Sequence, residues 1–248
     1  MANQPDGDLA ARTLPAPVRA ALQHIFAGGS AGLMLAGGTA LAGFYAAHRR
    51  SNDLDLFVRN SLTFDDVRRR VRSLAQLGAE LRQQRTSPGF SRVLAALDGY
   101  SFTVDVVLDE NLFRVGKGLS VGPICVATRE TLLMCKAATL VSGCTEKDLY
   151  DLWWFREQGA DLSPQQLVCL GSKIDAGMDA ESVLISLTST ALSETACDFA
   201  LAGGPTVATT YQRIVALKAA LETAFGDYLE NLPPPPLAKT LRRLKRLR

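Results

Sequence analysis

Histidine is nearly missing from this chain of 248 residues: His24 and His48 are too few for a histidine-built catalytic or zinc centre. The five cysteines (Cys125, Cys135, Cys144, Cys169, Cys197) are odd in number, scattered, and never spaced as C-x-x-C. That excludes a disulfide framework or a zinc ribbon and points to a reducing, cytoplasmic setting, with buried structural thiols expected. Charge is missing from residues 25–47, a run long enough to raise a membrane span. The run holds six glycines, including the doublets Gly28-Gly29 and Gly37-Gly38, and glycine doublets punctuate a helix rather than propagate it. It reads instead as a turn at Ala27–Ser30, a buried strand at Gly32–Ala36 and a helix from Thr39. The polar, acidic start MANQPDGDLA gives no expectation of a signal peptide. No membrane partner is expected.

What is present is an ordinary globular mix, 47% hydrophobic and 21% charged, enough to bury a core in one large domain or two small ones. The net charge of +2 hides an asymmetry. Lys239, Arg242, Arg243, Lys245, Arg246 and Arg248 crowd a tail that follows four prolines at 233–236, leaving the body before it at −4. Leu237, Leu241 and Leu244 fall at helical spacing, so the tail reads as a basic amphipathic helix: a solvated helix packed by its leucines, or a contact for nucleic acid.

Hydrophobic periodicity predicts helices over 14–27 and from Thr63 to about Leu77, then three strands near 80–86, 90–98 and 101–108 separated by Ser-Pro-Gly and Asp-Gly-Tyr turns. From Thr128 onward helices are expected at 128–141, 145–158, 163–176, 179–192 and 206–229. The fold class is α+β: a mixed sheet with flanking helices, followed by a helical unit. The expected domains are 1–126 and 127–248.

The most informative stretch is 37-GGTALAGFYAAHRRSNDLDLF-57. Side chains alternate along a strand, so Asp53 and Asp55 project together while Leu54, Leu56 and Val58 point the other way. Two adjacent carboxylates repel unless a hard cation lies between them, and Mg²⁺ takes one or two carboxylates together with substrate phosphates. Gly37, Gly38 and Thr39 offer backbone N–H groups and a hydroxyl at a helix start, where anions bind. A phosphate cradle beside a metal cradle is the core of a nucleotidyl-transfer site.

Asp105 supplies a third carboxylate, interrupting the apolar strand 101-SFTVDVVLD-109, where a lone charge is costly unless paired or metal-bound. Lys136 lies in a mostly apolar helix and either snorkels outward or points into a cleft as a phosphate ligand. Asp148 and Asp151 share one face of the next helix, where a structural salt bridge is the plain alternative to a catalytic role.

These motifs resemble the AbiEii-type nucleotidyltransferase toxins of bacterial type IV toxin–antitoxin systems, within the DNA polymerase β-like nucleotidyltransferase superfamily. The resemblance is carried by Gly37-Gly38-Thr39, Arg49 or Arg50 with Ser51, Asp53-Leu54-Asp55-Leu56, Asp105, Lys136, and Lys147-Asp148-Leu149-Tyr150-Asp151-Leu152. It implies a polymerase β-like fold. It also implies Mg²⁺ or Mn²⁺ on Asp53, Asp55 and Asp105, an NTP held through Gly37, Gly38, Thr39, Ser51 and Lys136, and catalytic parts for Lys136 and Asp148. Two departures stand out: Lys147 where the family often has arginine, losing the bidentate fork, and Gly143 where an arginine is common.

The expected activity is transfer of a nucleoside monophosphate from an NTP to an acceptor hydroxyl with release of pyrophosphate. The resemblance implies an RNA acceptor, the 3′ end of tRNA, and a possible antitoxin partner. Arg68, Arg69, Arg70 and Arg72, with the tail, are the candidate phosphate contacts. The alternatives are a small-molecule transferase acting on a cationic, aminoglycoside-like acceptor, for which the −4 body leaves room, and a non-catalytic binding module that kept the fold.

Overall fold

The computed structural model describes residues 4–232; the tetraproline and the basic tail expected at 237–248 lie outside the described residues. Two helices, α1 (Gly7–Thr13) and α2 (Ala16–Phe26), lead into β1 (Leu33–Ala36). Next come a short α3 (Gly37–Leu41), a π-helical turn (Ala42–Ala46) and β2 (Asp53–Val58). Then follow α4 (Ser61–Arg72), β3 (Glu80–Ser87), β4 (Phe90–Leu97), β5 (Tyr100–Leu108), α5 (Glu110–Val115), β6 (Gly118–Val121) and β7 (Ile124–Ala127). The rest is helical: α6 (Arg129–Ala138), α7 (Glu146–Glu157), α8 (Pro164–Gly171), α9 (Ala180–Ser189) and α10 (Val207–Glu230).

The seven strands form one mixed sheet in the order β3-β4-β5-β2-β1-β7-β6. The three strands expected after Gly78 are the antiparallel meander β3-β4-β5. β2 runs antiparallel to β1 and parallel to β5, so both central strands deliver their ends to the same region. The β6–β7 hairpin, the short α1 and α5 escaped the periodicity reading because each is too short to show a period. The α4 boundary also moves: Asn60, not Thr63, caps the helix by accepting from the Thr63 N–H.

Period-two burial fixes which face is core. On β4, Ser91, Val93, Ala95 and Leu97 are buried, and on β5 Phe102, Val104 and Val106 are buried. Phe64, Val67 and Val71 of α4 join the same core. The opposite face of β2 and β5 is where the aspartates stand. A second apolar cluster is built by α7, α8, α9 and α10 around Leu149, Leu167, Val183, Ile214 and Phe225. Among the described helices none is long and apolar enough to cross a membrane. The cysteines are all free, but only Cys144 and Cys197 are buried as expected; Cys125 and Cys135 are half-buried and Cys169 is exposed, on the solvent side of α8.

Candidate active site

β2 and β5 pair in parallel register with Asp53 opposite Thr103 and Asp55 opposite Asp105. Partners in register share a face, so Asp53, Asp55 and Asp105 all open to one side of the sheet. The Thr103 hydroxyl donates to Asp53 Oδ1 at 2.5 Å and orients it. Lys147 Nζ approaches Asp53 Oδ2 at 3.6 Å. Burial pushes the Asp55 carboxyl up to about 7; Lys136 counteracts this in part, while Asp105 and Asp53 add to it.

Asp105 is already engaged. Arg92, on β4 directly opposite it, donates from Nε at 2.7 Å and from Nη2 at 2.5 Å to its two oxygens. This bidentate clamp changes the three-carboxylate expectation: among the described residues no group of three or more His, Cys, Asp or Glu side chains stands ready to hold a metal ion. Asp53 and Asp55 nevertheless fit a hard divalent cation. Both are oxygen donors on one face, and Asp55 carries a like-charge cost that a cation would relieve.

The turn before the π-helical segment packs against these carboxylates. Gly37 has φ +64, and a Cβ there would collide with Asp55 Oδ2. A Cβ on Gly38 would run into the Arg49 guanidinium and meet Ser51 Oγ at 3.0 Å. Glycine is required here by close approach. The Thr39 hydroxyl is fully buried and donates to the Asp53 backbone carbonyl at 2.6 Å, bracing β2 behind the turn.

Lys136 and Asp148 sit in a buried ion network beneath the turn. Lys136 Nζ lies 2.7 Å from Asp148 Oδ1 and 2.8 Å from Asp151 Oδ2. Arg49 reaches Asp151 with Nε at 2.6 Å and Nη2 at 2.8 Å, and His48 Nε2 is 2.7 Å from Asp151 Oδ1. Burial disfavours the Lys136 ammonium, but Asp151 and Asp148 outweigh it and hold its pKa above the usual range. Burial likewise opposes the Asp151 carboxylate, and Arg49 with Lys136 holds it well below the usual range. Asp148 also closes the capping box of α7, its Oδ2 accepting from the Thr145 N–H and hydroxyl. Asp148 thus links Lys136 to the start of α7 while lining the cleft, and Asp151 sits at the centre of the network.

Two cavities of about 540 and about 350 Å³ meet at Gly38, Asp55, Lys136 and Asp148. The smaller is ringed by Arg49, Ser51, Arg92 and Lys147 with the three aspartates; the larger is lined by Phe57, Leu112, Cys135 and Ile174. One cleft therefore has a charged end, where Arg49, Arg92, Lys136 and Lys147 face Asp53, Asp55, Asp105 and Asp148, and an apolar end, with Asp55 at the junction. The sequence reading missed Arg92, Thr103 and His48. Period two along β4 and β5 puts Arg92 and Thr103 on non-core positions, but only the register reveals their partners.

The Arg68–Arg72 cluster is elsewhere. α4 packs on the core face, opposite the aspartates, and three of its four arginines are engaged locally: Arg68 faces Asp65, Arg69 and Arg70 pair with Asp66, and Arg70 donates to the carbonyls of Ile25, Gly28 and Gly29.

No protein of curated function matches the chain in sequence. Its fold is similar to that of MenT4, a nucleotidyltransferase toxin from Mycobacterium tuberculosis, with a TM-score of 0.53 and 16% identity over 94% of this chain and 91% of that one. JHP933 from Helicobacter pylori aligns over 97% of this chain and 99% of its own at 15% identity, with a TM-score of 0.47. The family described as nucleotidyl transferase AbiEii toxin of type IV toxin–antitoxin systems matches residues 20–176, more than half of the chain and all of the cleft, and the protein belongs to that family of nucleotidyltransferases.

Proposed function

We propose that the cleft binds an NTP with Mg²⁺ or Mn²⁺ and transfers its nucleoside monophosphate to an acceptor hydroxyl on RNA, the 3′ end of tRNA, releasing pyrophosphate. The observation that carries this reading is the Asp53/Asp55 pair on one face of β2, pressed against the Gly37-Gly38 turn and ringed by Arg49, Arg92, Lys136 and Lys147.

Asp53 and Asp55 would hold the cation, with Thr103 keeping the Asp53 carboxylate in place. When bound, the cation makes the attacking hydroxyl more nucleophilic and neutralises charge on the departing pyrophosphate. Gly37 and Gly38 leave backbone within reach of phosphate oxygens, and Ser51 stands beside them. Lys147, half exposed, can follow a triphosphate, whereas Lys136 and Arg49 are held at the floor of the cleft by Asp148 and Asp151 as fixed, preoriented donors. Asp105 would add a third oxygen donor to Asp53 and Asp55 only if Arg92 released it to another anion. The apolar end at Phe57 and Ile174 suits the nucleoside.

A nucleotidyltransferase unit over 1–126 and a helical unit over 127–248 remain our proposed division. Family membership supports an antitoxin partner, and a cytoplasmic site of action accords with an RNA acceptor. The test is incubation of the protein and tRNA with each labelled NTP in turn, with Mg²⁺ or with chelator. Label should enter RNA from one or a few NTPs in the presence of metal. Transfer to a small cationic acceptor instead would favour the aminoglycoside-type reading, and no transfer to anything would favour a binding module.

A further inference from the structure

The face of the sheet that carries the aspartates does not stop at the cleft. β-pairing extends it outward in one row: Asp55 on β2, Asp105 on β5, Arg92 on β4 and Arg85 on β3 are successive partners. The neighbouring row runs Asp53, Thr103, Leu94 and Arg82. Along β3 and β4 this face is open: Arg82, Arg85 and Arg92 are exposed and Phe90 and Leu94 half-exposed, while the alternate β4 residues are buried against the core. The Arg85 and Arg92 guanidiniums both lie 5.7 Å from the centre of the Phe90 ring.

Ion pairing separates this face from most of the arginine-dense α4. On α4, Arg68 pairs with Asp65 and Arg69 and Arg70 share Asp66, leaving Arg72 as the one arginine of that helix without an ion pair among the described residues. Among the described residues Arg82 and Arg85 form no ion pair, and Glu80, at the start of β3, is the one acid that β3 adds to the face. A bulge between Gln83 and Arg85 brings Arg85 into line with Arg92.

We propose that the open face of β3, β4 and β5 is the track on which the acceptor RNA lies, its phosphates on Arg82 and Arg85 and a base stacked beside Phe90, with its terminal hydroxyl delivered to Asp55. This rests on the reading that the acceptor is RNA. Three strand spacings separate β3 from β2, roughly 14 Å, or about four stacked nucleotides at ~3.4 Å each. A sheet presenting aromatic and arginine side chains beside a cationic row is the chemistry that binds single strands. Arg92 ends the track at the site: it is the half-exposed cation that an arriving phosphate can draw from Asp105.

Charge on an edge strand also guards against strand-to-strand aggregation, and the experiment separates the two roles. Binding of 5′-labelled bulk tRNA to the full chain is measured across a salt series for the wild type, for Arg82→Ala/Arg85→Ala, for Arg82→Lys/Arg85→Lys, and for Arg68→Ala/Arg69→Ala on the opposite face. The alanine pair on β3 should weaken RNA binding roughly tenfold and reduce the slope of log affinity against log salt by about 1.4, two phosphates' worth for a single strand. The lysine pair should keep most of both, and the α4 pair should bind as the wild type does. The proposal is overturned, with the RNA reading intact, if the α4 pair loses as much affinity or if the β3 alanine pair aggregates while its RNA affinity per soluble molecule is unchanged. If the wild type neither binds nor labels RNA, the RNA reading falls and takes the track with it. Binding of an acidic protein, rather than RNA, lost in the β3 alanine pair would equally overturn it.

Discussion

Asp55 and Asp105 stand opposite each other across the parallel β2–β5 pair, yet only Asp105 is clamped by an arginine. The two carboxylates are therefore unequal: Asp105 is paired with an arginine, whereas at Asp55 burial, which Lys136 offsets only in part, combines with two acidic neighbours. That inequality sets the behaviour of the metal-free protein.

Stability without metal should fall as pH rises through the Asp55 transition. Its folded pKa is raised from 3.8 to about 7, so the folded state binds more protons than the unfolded state between those values. The favourable contribution is full below about 4 and lost above about 7. Asp55→Asn should therefore stabilise the protein in chelator by roughly 1–3 kcal/mol at pH 8, with the gain vanishing towards pH 4. Urea unfolding at a series of pH values measures this, and a gain that grows on acidification would contradict it.

Removing Asp151 should be the most damaging single change in the network. It leaves Arg49 and Lys136 buried with one partner fewer, and breaking such a pair costs about 3–5 kcal/mol. Lys136→Met should cost less, because Arg49 still satisfies Asp151. Denaturant midpoints of the two variants give the order directly.

Gly37→Ala should abolish transfer while leaving a folded protein. The new Cβ would meet Asp55 in a left-handed backbone position, so the carboxylate must move by the width of a methyl group. Circular dichroism should stay near wild type while incorporation of label into RNA is lost. Retained activity would mean that the Asp55 position is not critical.

Arg92→Ala should tighten Mn²⁺ binding several-fold, because Asp105 loses the guanidinium that competes with a cation for its oxygens. Calorimetric titration reads this without any turnover. Weaker binding would show that Arg92 builds the metal site rather than competing for it.

The parts of this design that were legible in the sequence are those written in local chemistry. Period two in 53–58, 90–97 and 101–108 announces strands with one polar face, and Thr128 and Thr145 announce helix starts through their caps. The Asp53/Asp55 pair and Asp105 share a face as alternation requires. What was hidden depends on register and on long-range pairing. Arg92 meets Asp105 because β4 turns back on β5 at Asp98-Gly99, and Arg49 meets Asp151 across 102 residues. The Thr39 hydroxyl's bond to the Asp53 carbonyl was likewise hidden, because a hydroxyl beside two glycines suits a phosphate or a backbone carbonyl equally well. The basic patch was sought on α4 and in the tail; on α4 two aspartates engage three of the four arginines, whereas Arg82 and Arg85 on the edge strand β3 form no ion pair among the described residues.

The central claim is that Asp53 and Asp55 hold the cation that enables nucleotide transfer to RNA. The most direct measurement is transfer of labelled nucleotide to tRNA, with Mg²⁺ present, by the wild type and by Asp55→Asn, alongside unfolding curves for both. The account predicts metal-dependent labelling by the wild type, a loss of at least ~10²-fold in the variant, and a variant as stable as the wild type or more so. Undiminished labelling by folded Asp55→Asn, or wild-type labelling that persists in chelator, would contradict it.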